Sequence, residues 1–248
     1  MKSDLAYKEV QKITYKDLDY YRGFKHGIPI ALGYIPVSFT FGLMAVNGGI
    51  PIFTAILISM TNVTSAGQFA GLNLILQGAS LMEIGFTSLI VNLRYMLMSL
   101  SISQKLSPRM SALKKYILAF GITDEVFAIS SMEKGELSFS YMLGLITSPY
   151  IGWALGTALG ALTSSLLPPV LQSSMGLALY GMFIALVIPA VKESKAALVV
   201  TAVAVSISSL FTWAPYVNRV SGGWVIIIAT VVACSIGAIV FPREEDEN

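Results

Sequence analysis

From Gly27 to Met82 the chain carries no charged side chain. A run that long is bilayer material, because about 20 apolar residues already span the hydrocarbon core as a helix. Composition agrees: 55% of residues are hydrophobic, 12% are charged and the mean hydropathy is +0.72, where a soluble domain runs near 25% charged. Ahead of the run stand Lys2, Lys8, Lys12, Lys16, Arg22 and Lys25. Residues 1–26 therefore read as a basic cytoplasmic arm in which Thr14 to Asp17 caps a surface helix. The arm has no apolar stretch ahead of a small-residue cleavage site, so no signal peptide is expected. A net charge of +2, with basic residues confined to segment ends, points away from a nucleic-acid partner.

The lone cysteine, Cys234, excludes an internal disulfide and any multi-cysteine metal site, and the lone histidine, His26, lies at the edge of the first apolar span. Ser-His pairs, paired-histidine zinc sites and intramembrane histidine relays are thus absent. The eleven methionines, Met96 and Met98 among them, read as adaptable core. No metal and no cofactor is expected.

The residues imply an all-α polytopic membrane protein with about eight hydrophobic helical elements, near 27–46, 52–76, 81–104, 116–132, 139–166, 170–191, 196–212 and 224–241. Turn-forming or charged punctuation separates them, such as Asn47 to Pro51, Gln77-Gly78, Ser107-Pro108-Arg109 and Glu133 to Glu136. The domain layout is an arm over 1–26, a transmembrane transporter domain over 27–241 and an acidic tail over 242–248.

Basic residues favour the cytoplasmic side of a membrane protein. If every element crosses, that side receives ten of them and the other side five; if 52–76 and 170–191 enter and leave on one side, the split is thirteen to two. The re-entrant reading fits better. Element 52–76 also holds Thr61-Asn62-Val63-Thr64-Ser65-Ala66-Gly67-Gln68, a polar stretch that suits a broken helix lining protein or a water-filled cavity. Internal similarity points the same way: Gly67-Gln68-Phe69 matches Gly181-Met182-Phe183 at an offset of 114, and Tyr34-Ile35 matches Tyr150-Ile151 at 116. In the re-entrant topology 139–166 runs opposite to 27–46, so the halves are expected to be inverted repeats of the kind secondary transporters use.

Ionisable groups inside a membrane are costly and mark functional candidates. Arg94 lies near the middle of 81–104, Asp124 and Glu125 near the middle of 116–132, and Glu83 close enough to a segment end to reach headgroup water. Adjacent helical residues point about 100° apart, so one of Asp124 and Glu125 is placed to pair with Arg94 while the other faces a cavity. The residual negative charge suits a proton or a substrate's ammonium; the structural alternative is a permanent lock between helices. Asn62, Ser65, Gln68, Asn92 and Thr123 are the polar candidates beside them. Each serves either to orient a zwitterion or to join helices. Pro36 frees a carbonyl and is expected to kink its helix. Gly152, Gly156 and Gly160 read as a close-packing face.

Gly33-Tyr-Ile-Pro-Val-Ser-Phe-Thr-Phe-Gly-Leu43, Ala66-Gly-Gln-Phe69, Asn92-Leu-Arg-Tyr95 and Ala119-Phe-Gly-Ile-Thr-Asp-Glu-Val-Phe-Ala128 together resemble the AzlC family, the large subunits of branched-chain amino acid exporters. The resemblance covers about residues 23–241. It implies export of leucine, isoleucine, valine or analogues across a bacterial-type plasma membrane, and a small hydrophobic AzlD-type partner subunit. Family members often carry aspartate where this chain has Asn92, which leaves more of any acidic role to Asp124 and Glu125. The expected mechanism is a proton-coupled secondary carrier. A passive channel, or the membrane subunit of an ATP-driven permease, is the alternative; an intramembrane aspartyl enzyme lacks its second aspartate.

Overall fold

The computed structural model describes residues 18–166, 168, 170, 184, 187–215 and 219–242. Its helices are α1 (Tyr20–Asn47), α2 (Ile52–Thr61), α3 (Ala66–Leu76), α4 (Leu81–Lys105), α5 (Ala112–Phe120), α6 (Asp124–Met132), α7 (Phe139–Thr163), α8 (Lys195–Trp213) and α9 (Gly222–Val240). Residues 187–193 are helical too. Among the described residues the only β pairing is an isolated bridge between Leu106 and Leu137. Five helices, α1, α4, α7, α8 and α9, are long and apolar enough to cross a membrane, and the chain is an all-α, multi-pass membrane protein.

Helix starts follow capping chemistry, since a side-chain oxygen at the N-cap satisfies a backbone N–H that has no partner within its helix. Asp19 accepts from the Arg22 amide at 2.8 Å, Ser138 from Tyr141 at 3.1 Å and Ser194 from Ala197 at 3.3 Å. The first helix thus begins seven residues ahead of the expected 27, inside the stretch read as an arm. It runs unbroken through Pro29 and Pro36. The cap expected from Thr14 to Asp17, the acidic tail beyond residue 242 and most of the 170–191 element lie outside the described residues.

The chain divides into two compact units, 1–65 with 93–167 and 66–92 with 168–248. In the first, α1 and α7 form the main seam. A side chain at Gly27 would meet the Leu145 carbonyl at 2.7 Å, one at Gly152 the Ala31 carbonyl at 2.8 Å, and one at Gly156 the Ile35 carbonyl at 2.5 Å. Small residues let the backbones approach this closely, and Ser148 stitches the seam by donating to the Phe24 carbonyl at 3.0 Å.

Contacts along the seam rise in step: Gly23 faces Tyr141, Ala31 faces Gly152 and Phe39 faces Gly160. The two helices are therefore parallel. This corrects the expectation that 139–166 runs opposite to 27–46. The cause lies in the element read as 116–132, which is not one crossing helix: α5 and α6 are separate, joined at Gly121-Ile122-Thr123. The end of α6 returns to the start of α1, where Arg22 pairs with Glu133 at 3.3 Å. Lys105 at the end of α4 donates to the carbonyls of Ser131 and Glu133 at 2.7 Å each, and Leu137 donates to the Lys105 carbonyl at 2.8 Å. Lys134 thus belongs with the basic end of α1 and not on the opposite side, where the charge count had put it.

The second unit contains α3, the first half of α4, α8 and α9. Its α8 and α9 pack together, with Gly237 admitting the Val200 side chain. No residue of α8 is buried, which leaves its apolar surface for lipid or protein to cover.

Candidate functional site

Within the first unit, two half-length helical segments enter from opposite ends of the α1–α7 seam and stop at its middle. α2 starts beside the end of α1, and its buried Ser59 hydroxyl bonds to Thr157 at 2.6 Å. It ends at Thr61, where the Met60 carbonyl accepts from the Tyr150 hydroxyl at 3.0 Å. α5 and α6 come from the other end, and their junction lies against Tyr34 of α1. Tyr34 and Tyr150 are the pair matched by the internal similarity, and each faces the end of a half-helix. Backbone left without helical partners at such depth must be satisfied by side chains.

The first break runs from Asn62 to Ser65. Its backbone is irregular: Asn62 lies at φ −142°, ψ 77°, and Ser65, at φ +47°, is the only described non-glycine residue in left-handed conformation, a strain that commonly accompanies function. Thr64 donates to the Asn62 side-chain oxygen at 2.8 Å, and the Thr64 carbonyl accepts from the Tyr95 hydroxyl at 3.1 Å.

At the second break a side chain on Gly121 would collide with Ile146. Thr123 caps α6 by accepting from the Val126 amide at 3.4 Å. Asp124 and Glu125 follow in the first turn, where the helix dipole favours negative charge. At the other end of α6 the cationic Lys105 holds the terminal carbonyls, so both ends of this nine-residue helix are matched electrostatically.

The carboxylates diverge as their spacing requires. Asp124 pairs with Arg94 at 3.1 Å, and both side chains are 46% exposed. Arg94 also donates to the Tyr95 hydroxyl at 3.2 Å. Glu125 faces the other way and accepts from the Tyr34 hydroxyl, whose oxygen also lies 2.8 Å from Thr123 Oγ1. With the single phenolic proton given to Glu125, Thr123 is left to donate to Tyr34. The edge of Trp153 packs on the Tyr34 ring at 5.2 Å and fixes its direction.

The structure thus brings Asn62, Ser65, Arg94, Thr123, Asp124 and Glu125 into one unit, linked from Thr64 through Tyr95 and Arg94 to Asp124. Gln68 and Asn92 belong to the other unit. There Gln68 is buried, and Asn92 packs so tightly on Gly67 that a side chain at Gly67 would meet the Asn92 oxygen at 2.5 Å.

Sequence reading missed Tyr34, Tyr95 and Tyr150, and it missed the second break. Thr123 followed by two acidic residues is a helix-start signal that marked the break inside an apolar run. Glu83 is also corrected. It does not reach water freely but is 5% exposed, accepting from Ser221 at 2.5 Å and from the Gly223 amide at 3.0 Å. Among the described residues no group of histidine, cysteine and carboxylate side chains is arranged to hold a metal.

The AzlC protein family matches residues 29–167. A membrane protein of Archaeoglobus fulgidus is 37% identical over 69% of this chain and 75% of its own length. Inner membrane protein YgaZ of Escherichia coli is 30% identical over 73% of this chain and 76% of its own. The branched-chain amino acid transport protein AzlC of Bacillus subtilis is 27% identical over 57% of this chain and 56% of its own. No solved structure matches.

Proposed function

From the premise that the chain belongs to the AzlC family, we propose that it is a carrier of branched-chain or other hydrophobic amino acids, working outward and coupled to protons. The observation that carries this reading is the half-exposed Arg94–Asp124 pair at the start of a half-helix. A guanidinium beside a carboxylate is complementary to a zwitterion: Arg94 takes the substrate carboxylate in bidentate fashion, and Asp124 takes the ammonium. Substrate entry then exchanges one ion pair for two. This limits the desolvation cost that a lone charge incurs at such depth.

Glu125, held by Tyr34 outside that pair, is the second carboxylate and the proton acceptor of the cycle. Asn62 orients the amino-acid head from the facing break. A small AzlD-type subunit completes the transporter, and the substrate leaves chemically unchanged.

Leucine efflux from loaded vesicles tests the assignment. Arg94→Ala, Asp124→Ala and Glu125→Ala are each expected to cut efflux severely, and full activity in all three overturns it. Collapsing the proton gradient at constant ATP is expected to stop efflux; continued efflux favours an ATP-driven permease. Co-purification with the small subunit, or its absence, decides the partner.

A further inference from the structure

We propose that Phe120 and Tyr150 form the subsite that receives the apolar side chain of the transported amino acid and sets its size. The inference rests on the carrier reading, in which Arg94 and Asp124 hold the zwitterionic head. Two separate bridges join residues 60–64 at the first break to residues 120–124 at the second. One is polar: the Thr64 carbonyl accepts from the Tyr95 hydroxyl at 3.1 Å, that hydroxyl accepts from Arg94 at 3.2 Å, and Arg94 pairs with Asp124 at 3.1 Å. The other is aromatic. Tyr150 of α7 donates to the Met60 carbonyl at 3.0 Å, and its ring meets that of Phe120, the last residue of α5, edge-on with centroids 6.1 Å apart. Edge-to-face pairs at this separation are a preferred arrangement of aromatic rings, and the bond to Met60 fixes the direction of the Tyr150 ring.

Together the bridges close a ring of contacts around the space between the breaks. Met60 and Thr64 stand four residues apart, as do Phe120 and Asp124, and four residues of chain reach at most about 14 Å when fully extended. The polar and the aromatic bridge therefore run side by side, near enough for one small molecule to touch both. Their members front open space, since Phe120 is 53% exposed and the Arg94 and Asp124 side chains are open to a similar degree. An ion pair that open does not face hydrocarbon, so the space it fronts is a crevice, and the aromatic bridge is its apolar side. Small-molecule sites combine a few polar groups with apolar lining in this way. Tyr150 also satisfies the Met60 carbonyl at the unpaired end of α2, so this side meets the substrate with ring surface and sorts side chains by bulk.

Efflux of leucine and of valine from vesicles loaded with each, measured over a range of concentrations with the full-length protein, reads the subsite. Phe120→Ala opens it and is expected to raise the leucine KM about tenfold with kcat unchanged, the pattern left when binding shared by ground and transition states is removed. Valine reaches less far, so its KM is expected to move about threefold at most. Phe120→Trp crowds the subsite and is expected to raise the leucine KM about tenfold while that of valine stays within about twofold. Both changes fall on a side chain more than half exposed, where substitutions leave folding nearly untouched. A leucine-to-valine ratio of kcat/KM that stays at the wild-type value in both variants overturns the subsite and leaves the carrier reading standing. A wild-type protein that moves no leucine overturns the carrier reading, and the subsite with it.

Discussion

Asp124 and Glu83 are both carboxylates at the start of a helix, yet their surroundings differ in every respect that decides use. Asp124 stands on its own helix, half exposed, facing a cation that is equally open. Glu83 serves a helix 138 residues away in sequence, is buried, and holds that helix by a hydroxyl and an amide. The difference teaches that an acid in an apolar segment is not defined by its cost alone. Access and the identity of its partner separate a group that exchanges ligands from one that anchors structure.

The sharpest way to break the comparison is Asp124→Asn. It is expected to lower leucine efflux about 100-fold, corresponding to ~3 kcal/mol for a charge-assisted contact, while the unfolding temperature stays near that of wild type. Retained transport with a lowered unfolding temperature would place Asp124 in Glu83's class. The reciprocal change, Glu83→Ala, leaves the Ser221 hydroxyl and the Gly223 amide without an acceptor and is expected to cost ~2 kcal/mol of stability, read from chemical denaturation in mild detergent. Unchanged stability would show that α9 does not need its anchor.

Smaller effects refine the distinction between the two acids of α6. Tyr34→Phe removes the hydrogen bond to Glu125 but keeps the ring against Trp153. Efflux is expected to fall about fivefold, in line with ~1 kcal/mol for one such bond, with leucine binding unaltered. A weaker binding constant instead would put Glu125 in contact with substrate. Tyr95→Phe, which frees the Thr64 carbonyl and one contact of Arg94, is expected to slow efflux about twofold, measured as initial rate.

What sequence made legible, and what it did not, divides along the range of the interaction. Hydropathy located the spanning segments because burial in lipid is a property of each stretch by itself. The polar run at 61–68 marked a break for the same local reason, and the angular separation of adjacent helical residues sorted Asp124 from Glu125. Tyr34 meets Glu125 across 91 residues, and Glu83 meets Ser221 across 138; no periodicity records such pairings. The parallel course of α1 and α7 escaped notice because α5 and α6 together have the length and apolarity of one crossing helix. Only the short Gly-Ile-Thr interruption betrayed the turn-back.

Lys105 carries a practical consequence for anyone mapping orientation by charge relocation. Its ammonium is engaged with three backbone oxygens at the foot of α6, so deleting it perturbs insertion bias and local architecture at once, and a flipped reporter would have two explanations. Lys114 stands over the Phe139 ring at 5.1 Å, so Arg109 and Lys115, which carry no comparable duty among the described side-chain contacts, are the positions at which such an experiment reads sidedness most directly.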